Sequence, residues 1–308
     1  MSIAIAGSGD VARYLSEELC RAGLPVVILC RRTKPEFDIP GVTQKVVDFT
    51  SVPSLVAALG DDTVALVSTI LDYTMAFADA HKNLVTACQQ SPKCRRFIPS
   101  EYGGDVQDYP DQPGFYLANH EPIRQMLREQ NILEWTLLCC GWLVDYIVPL
   151  KNRYLKDIGD AFPVNLAEKR MVIPGSGKEL VTITAARDMT RAIVALLQAP
   201  AGSWEPFTYV SGEKTTWRQV AEQVRVKYPH IQFEVQYISL TQLITAVCEA
   251  TTDEARFYAE YSIFSVSNAA NFDTVKVEAQ RGKYFKDINF RNVQELLDEA
   301  DKNPEVVL

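Results

Sequence analysis

The stretch Gly7-Ser8-Gly9-Asp10-Val11-Ala12 constrains this chain more than any other. It stands between a short apolar run, Ser2–Ala6, and a segment with Val11, Leu15 and Leu19 at spacings of four. The run has the character of a strand, and the spacing puts its apolar residues on one helix face. A turn that passes straight from strand to helix needs Gly7 for its tightness. Gly9 lets backbone lie close to a pyrophosphate, and the small Ala12 lets the helix pack on the strand. The helix N-terminus then offers N–H groups to phosphate. A plain strand-to-helix turn shares some of these residues, so the motif draws its weight from this context.

The rest of the first half repeats the alternation. Strands are expected at 25–30, 45–48, 64–68, 96–99 and 135–140, and helices at 10–22, 54–59, 75–90 and 121–130. The continuous apolar run at 25–30 marks a strand buried on both faces. Alternating strands and helices imply an α/β fold, a Rossmann-like doubly wound parallel sheet. Beyond residue 155 the pattern loosens. Residues 161–172 and 233–238 have the character of short strands, 207–210 of a further sheet strand, and 185–198, 217–226, 240–250 and 291–300 of helices. Residues 1–155 are therefore expected to form the nucleotide-binding domain, with 181–212 returning to it. Residues 156–180 and 213–308 would form a smaller C-terminal α+β substrate domain, with 303–308 as a loose tail.

Charge and cysteine content exclude several classes. The net charge of −8 lacks the basic footprint of a nucleic-acid-binding protein. No apolar run reaches the ~18 residues of a membrane span, and the first residues lack the basic start of a signal peptide. Seven cysteines without a CxxC pair suit a reduced, cytoplasmic setting. The adjacent Cys139 and Cys140 point to opposite strand faces and are expected to be buried thiols. His81, His120 and His230 lack metal-ligand spacing, so no metal is expected. His81 and His230 have the character of ordinary surface or helix residues.

The end of the second strand bears on cofactor choice. An NAD site places Asp or Glu there, to accept from the ribose 2′-hydroxyl. This chain has Cys30-Arg31-Arg32-Thr33-Lys34. Cations suit a 2′-phosphate, and an Arg fork grips one with two hydrogen bonds, so NADP(H) is expected. A solvated basic turn is the alternative.

With these residues in view, the chain resembles the NmrA-like and isoflavone reductase-like group, an atypical branch of the short-chain dehydrogenase/reductases. The likeness rests on the glycine loop, Val47-Asp48-Phe49, Arg96-Phe97-Ile98-Pro99-Ser100-Glu101-Tyr102-Gly103, Leu133-Glu134-Trp135-Thr136, Gly141-Trp142-Leu143-Val144-Asp145-Tyr146 and Arg187-Asp188-Met189. It covers roughly residues 1–215 and is strongest to fungal members, many of them from secondary metabolism. The resemblance implies that Gly7, Ser8, Gly9, Asp10 and Val11 hold the pyrophosphate and Arg31 and Arg32 the 2′-phosphate. It implies Asp48 and Phe49 beside the adenine, and Ser68 and Thr69 under the cofactor. Ser100, Glu101 and Tyr102 would lie near the nicotinamide. Gly141 and Trp142 would begin a loop over it.

One position departs from the family pattern. The resemblance places an active-site Lys four residues before Arg124, where this chain has His120. Tyr116 and His120 share one helix face, with His in the Lys place of a Tyr-x-x-x-Lys spacing. Three readings stay open. His120 acts as acid/base with Tyr116 and Ser100, or the chemistry is redox-neutral with NADP bound (isomerisation, cyclisation or dehydration), or catalysis is lost and the chain is a redox sensor. The first makes the chain an NADPH-dependent reductase of a carbonyl or enone natural product. Tyr102, Trp142, Tyr146 and Tyr261 are the candidate substrate contacts, with Tyr154, Phe162, Phe257, Tyr258 and Phe264 as further walls. Such a set suits an aromatic or polyketide-like small molecule, although aromatics at these positions also serve as core. The oligomeric state stays open.

Overall fold

Ile3, Ala4, Ile5 and Ala6 are all buried, as befits the middle of a sheet covered on both faces. The computed structural model describes residues 1–308. In the first half, β1 (Ser2–Ala6), α1 (Asp10–Arg21), β2 (Val26–Cys30), β3 (Val42–Val46), α2 (Val52–Leu59), β4 (Thr63–Ser68), α3 (Met75–Gln90) and β5 (Arg96–Ile98) follow one another. They are followed by the single turn α4 (Tyr116–Asn119), α5 (Glu121–Glu129) and the short strand β6 (Glu134–Trp135). These strands form one parallel sheet in the order β3-β2-β1-β4-β5-β6. The order reverses between β1 and β4, the switch point where such sheets open a crevice at their carboxyl ends.

The remaining elements are β7 (Leu137–Cys139), β8 (Trp142–Leu143), β9 (Val164–Asn165), β10 (Arg170–Pro174), β11 (Leu180–Thr184), α6 (Ala186–Gln198), β12 (Phe207–Tyr209), β13 (Glu213–Thr216), α7 (Trp217–Lys227), β14 (Glu234–Ile238), α8 (Leu240–Glu249), α9 (Asp253–Phe264), α10 (Thr274–Tyr284) and α11 (Val293–Lys302). They build the small sheets β14-β10-β9, β13-β11-β8 and β12-β7. Two compact units result. One holds Met1–Tyr102, Tyr116–Leu138 and Thr190–Thr208, and the other Gly103–Phe115, Cys139–Met189 and Tyr209–Leu308. Residues 139–155, expected with the first domain, lie in the second unit.

Several expectations need correction. The third strand runs from Val42 to Val46 rather than over 45–48. Asp48 is drawn into a turn in which its Oδ1 accepts from Thr50 N at 2.9 Å and Thr50 Oγ1 at 2.7 Å. Such Asx turns compete with a strand ladder. The sixth strand breaks at Thr136, whose hydroxyl bonds that of Thr208 at 2.7 Å, so β6 joins the large sheet and β7 pairs with β12. Residues 181–184 do not return to the first sheet, because β11 pairs with β8 and β13. Residues 303–308 are not loose. Asn152 Nδ2 donates to the carbonyls of Asn303 (3.0 Å) and Val306 (2.9 Å), and Leu308 N donates to Asn152 O at 3.0 Å. Helices α9 and α10 are additional to the expected set. Cys139 and Cys140 are buried thiols as expected; Cys30, Cys88 and Cys94 are buried too, Cys20 is half-buried and Cys248 exposed.

Asp145 stands at the N-terminus of α6, where its Oδ2 accepts from Ala186 N at 2.8 Å. Burial pushes this carboxyl up to about 6, against the Ala186 hydrogen bond and nearby Arg291. The folded state thus holds a proton that the unfolded chain releases near pH ~3.9. Its contribution to stability is greatest below pH ~4 and declines as pH rises through about 6, by about 3 kcal/mol in all. Asp145→Asn removes the titrating group and keeps an acceptor. We expect thermal scans to show the variant gaining on the parent by several degrees between acid and neutral pH. Parallel curves would refute the assignment.

Candidate cofactor and active site

The glycine loop follows β1, Ser68 ends β4 and Thr69 follows it, so both border the switch point. Gly7 has φ +105°, and a Cβ there would lie 3.0 Å from Thr69 Oγ1 and 3.2 Å from Ile70 N. Only glycine fits such a left-handed, crowded place. Around Gly9 a Cβ would meet nothing within 4 Å, so the loop faces open space. Gly9 caps α1 without a side-chain hydrogen bond. Thr69 holds the far wall, with its N and Oγ1 donating to Ala6 O at 2.8 and 3.2 Å. This cradle fits the pyrophosphate of a dinucleotide.

A cation stands at the loop. The Lys34 ammonium donates to the Ser8 carbonyl. Gln44 clamps the Lys34 backbone, its Oε1 accepting from Lys34 N at 2.8 Å and its Nε2 donating to Lys34 O at 2.9 Å. Arg31 and Arg32 are exposed, and no acidic side chain stands at the end of β2. Asp48 is exposed with its carboxylate held by Thr50, and half-buried Phe49 follows it. The Phe49 carbonyl accepts from Asn83 Nδ2 at 2.9 Å. Lys34 and Gln44 were not singled out by the sequence motif; only the basic composition of 31–34 hinted at the first.

At the carboxyl end of β5 the three candidates part ways. Ser100 N donates to His81 Nε2 at 3.4 Å. Tyr102 donates its hydroxyl to Ser68 O at 2.7 Å. Glu101 turns inward, where both carboxylate oxygens take the Arg124 fork: Nε to Oε1 at 2.9 Å and Nη2 to Oε2 at 2.8 Å. Side-chain exposures of 1% for Arg124 and 0% for Glu101 leave that pair no opening to a ligand. The Glu101 carboxylate is therefore taken up by Arg124.

His120 caps α5 and lies between two rings. Its imidazole stacks on Tyr116 with centroids 3.9 Å apart and on Phe77 with centroids 4.2 Å apart. A face-to-face stack passes no proton between Tyr116 and His120, so the two do not form an in-line pair. Burial, then Arg124, then His81, hold the His120 ring well below its ordinary pKa, so it is neutral at pH 7. His81 is a helix residue, on α3, and it is wholly buried. Its Nδ1 bonds Phe77 O at 2.8 Å, and burial pulls its pKa down to about 4. His230 is exposed, as expected.

In the second unit, Trp142, Tyr146 and Tyr261 belong to one aromatic cluster. Trp142 meets Tyr261 at 5.8 Å, Phe264 at 5.6 Å and Trp217 at 5.9 Å between centroids, while Tyr146 meets Phe162 at 4.8 Å. Phe257 meets Phe115 at 5.0 Å. Tyr258 is exposed, with its hydroxyl 3.2 Å from Glu254. Gly141 has φ +65° and lies against the Thr182 carbonyl, a packing reason sufficient for glycine.

Comparison with known proteins agrees with this geometry. Residues 6–162 match the NAD(P)H-binding family model. The chain is 47% identical over its full length, and that of the relative, to the oxidoreductase swnR of Metarhizium robertsii. It is 44% identical, again with full coverage of both, to the oxidoreductase swnR of Arthroderma benhamiae. The chain belongs to the NAD(P)H-binding, NmrA-like and isoflavone reductase-like family. Its fold is that of leucoanthocyanidin reductase from Vitis vinifera, with TM-score 0.77, 18% identity, and coverage of 97% of this chain and 99% of that one.

The chain has the glycine cradle, and at the place where the resemblance implies a Lys it carries His120. A Lys ammonium is a mobile point charge, whereas the His120 imidazole is pinned between rings and uncharged. Asn119, whose Oδ1 lies 2.6 Å from His120 Nδ1, is a further residue the motif did not reveal. No helix of the chain is long and apolar enough to cross a membrane.

Proposed function

We propose that this family member is an NADP(H)-dependent reductase of a small carbonyl or enone natural-product intermediate. The observation that carries the reading is the cationic flank of the glycine cradle. Lys34 lies on the Ser8 carbonyl, Arg31 and Arg32 are exposed beside it, and the residues that directly follow β2, Arg31 to Lys34, include no carboxylate to prefer a 2′-hydroxyl. The swnR relatives, named oxidoreductases, support the redox class. The bound nicotinamide would supply hydride. Gly7, Ser8, Gly9, Asp10 and Val11 would hold the pyrophosphate, Arg31, Arg32 and Lys34 the 2′-phosphate side, and Ser68, Thr69, Ser100 and Tyr102 the inner half. The second unit's aromatic cluster of Trp142, Tyr146 and Tyr261 supports a flat or polyketide-like substrate.

Binding calorimetry tests this. NADPH is expected to bind at least about tenfold tighter than NADH, since a charge-assisted contact is worth about 1.5–3 kcal/mol. Replacing Arg31 and Arg32 together by Ala should lower that preference by about ten- to a hundredfold and leave NADH affinity nearly unchanged. Equal affinities in the parent protein would sink the NADP(H) assignment.

A second reading is favoured by one observation. The neutral, ring-stacked His120 lacks the charge with which Lys supports proton donation. This suits redox-neutral chemistry with NADP retained. Product formation with no loss of the reduced nicotinamide's absorbance would select it.

A further inference from the structure

We propose that Asn119 is a positioning residue that locks His120 as its Nδ1–H tautomer, which leaves the ring's lone pair on Nε2. The assignment deepens the reading of residues 116–124 as the active site and rests on it for its role in the reaction.

Hydrogen-bond accounting carries the argument. The Asn119 Nδ2 donates to the Tyr73 carbonyl at 3.3 Å, which can only accept. That fixes the amide orientation and leaves Oδ1 toward His120 Nδ1 at 2.6 Å. An amide oxygen carries no proton, so the proton in this bond sits on Nδ1. In a neutral ring Nε2 then carries the lone pair. Stacking on Phe77 and Tyr116 prevents the ring from turning to exchange its nitrogens.

The surroundings keep the ring uncharged. His120 is the N-cap of the nine-residue α5, whose positive end opposes an imidazolium. Arg124 on α5 adds positive charge, although Glu101, after β5, and Glu121, also on α5, face that guanidinium and offset part of it. From α3, His81 is held in the same way. Its Nε2 accepts from Ser100 N, which leaves the proton on Nδ1 for Phe77 O. From α4, the Tyr116 ring stacks on the imidazole. The oxygen at Nδ1 is an amide rather than a carboxylate, so it brings no fixed charge to the ring.

Nitrogen NMR of the histidine-labelled protein reads the tautomer directly, with exposed His230 as internal reference and His120→Gln for assignment. In the parent protein His120 is expected to show a protonated Nδ1 and a lone-pair Nε2 throughout about pH 6–9. Asn119→Ala should give a mixture of tautomers. Asn119→Asp should keep Nδ1–H and bring the ring's titration up by at least about one pH unit, because a carboxylate favours the cation. A protonated Nε2 or an imidazolium in the parent at neutral pH would overturn the proposal, as would an unchanged pattern in Asn119→Ala. Once His120→Gln has assigned the signals, the parent spectrum needs no Asn119 variant to fold. It is also independent of turnover: the expected tautomer in a protein that binds no NADPH would uphold the assignment and sink the cofactor reading instead.

Discussion

Arg124→Met is expected to destabilise the protein by about 3–5 kcal/mol, because it strands the Glu101 carboxylate in the interior without a counter-charge. Both partners of this pair are almost fully buried and joined by two parallel hydrogen bonds, 2.9 and 2.8 Å long. The guanidinium also lies 5.4 Å from the centre of the Tyr116 ring, so its loss loosens the stack that holds His120. Urea unfolding, with fluorescence as the probe, measures the loss. Arg124→Lys should recover only part of it, since an ammonium cannot reproduce the fork. The double variant Arg124→Met with Glu101→Gln should recover more, because it removes the stranded charge. An Arg124→Met midpoint equal to that of the parent would show that the pair contributes nothing.

Gly141→Ala carries the second large effect. The residue has φ +65°, and a Cβ would lie 2.1 Å from the Thr182 oxygen and 2.7 Å from its carbonyl carbon. Thr182 is in the middle of β11, paired to Lys214 of β13, so it has little room to retreat. Strain of this kind, added to the left-handed backbone, is expected to cost about 4 kcal/mol or more. The readouts are soluble yield and a melting temperature lower by about 10 °C. Gly9→Ala is the control: its backbone is at φ −94° and its surroundings are open, so folding should be unaffected while NADPH affinity falls. Equal melting temperatures for Gly141→Ala and the parent would contradict the packing account.

These two residues show what the sequence carries and what it hides. Gly7 and Gly9 were readable because a strand, a tight turn and a helix start succeed one another within a few positions. Local order of that kind depends on neighbours along the chain. The β5 and α3 positions were readable for the same reason, as continuous or periodic apolar runs. The break at Thr136 was not, because it depends on Thr208, a partner far away in sequence. Glu101 shows the same limit. An acidic residue at a strand's carboxyl end suggests a ligand contact until the Arg that consumes it is located. Helix α9 escaped detection because its buried residues, Ala259, Glu260 and Phe264, make no clear apolar stripe. His120 was found by counting from Arg124, but its confinement between Phe77 and Tyr116 depends on packing that no spacing expresses.

The distribution of thiols supplies a handle for following this protein at work. Six of its cysteines are buried or half-buried, and burial raises the pKa of Cys20, Cys30, Cys88 and Cys140, which slows alkylation. Cys248, on the outer face of α8, is the exposed one. A maleimide dye added to the unmodified protein should therefore attach at a single site in the second unit, with no engineered cysteine-free background. Its emission during a titration would report whether α8 feels a ligand held by residues 1–102.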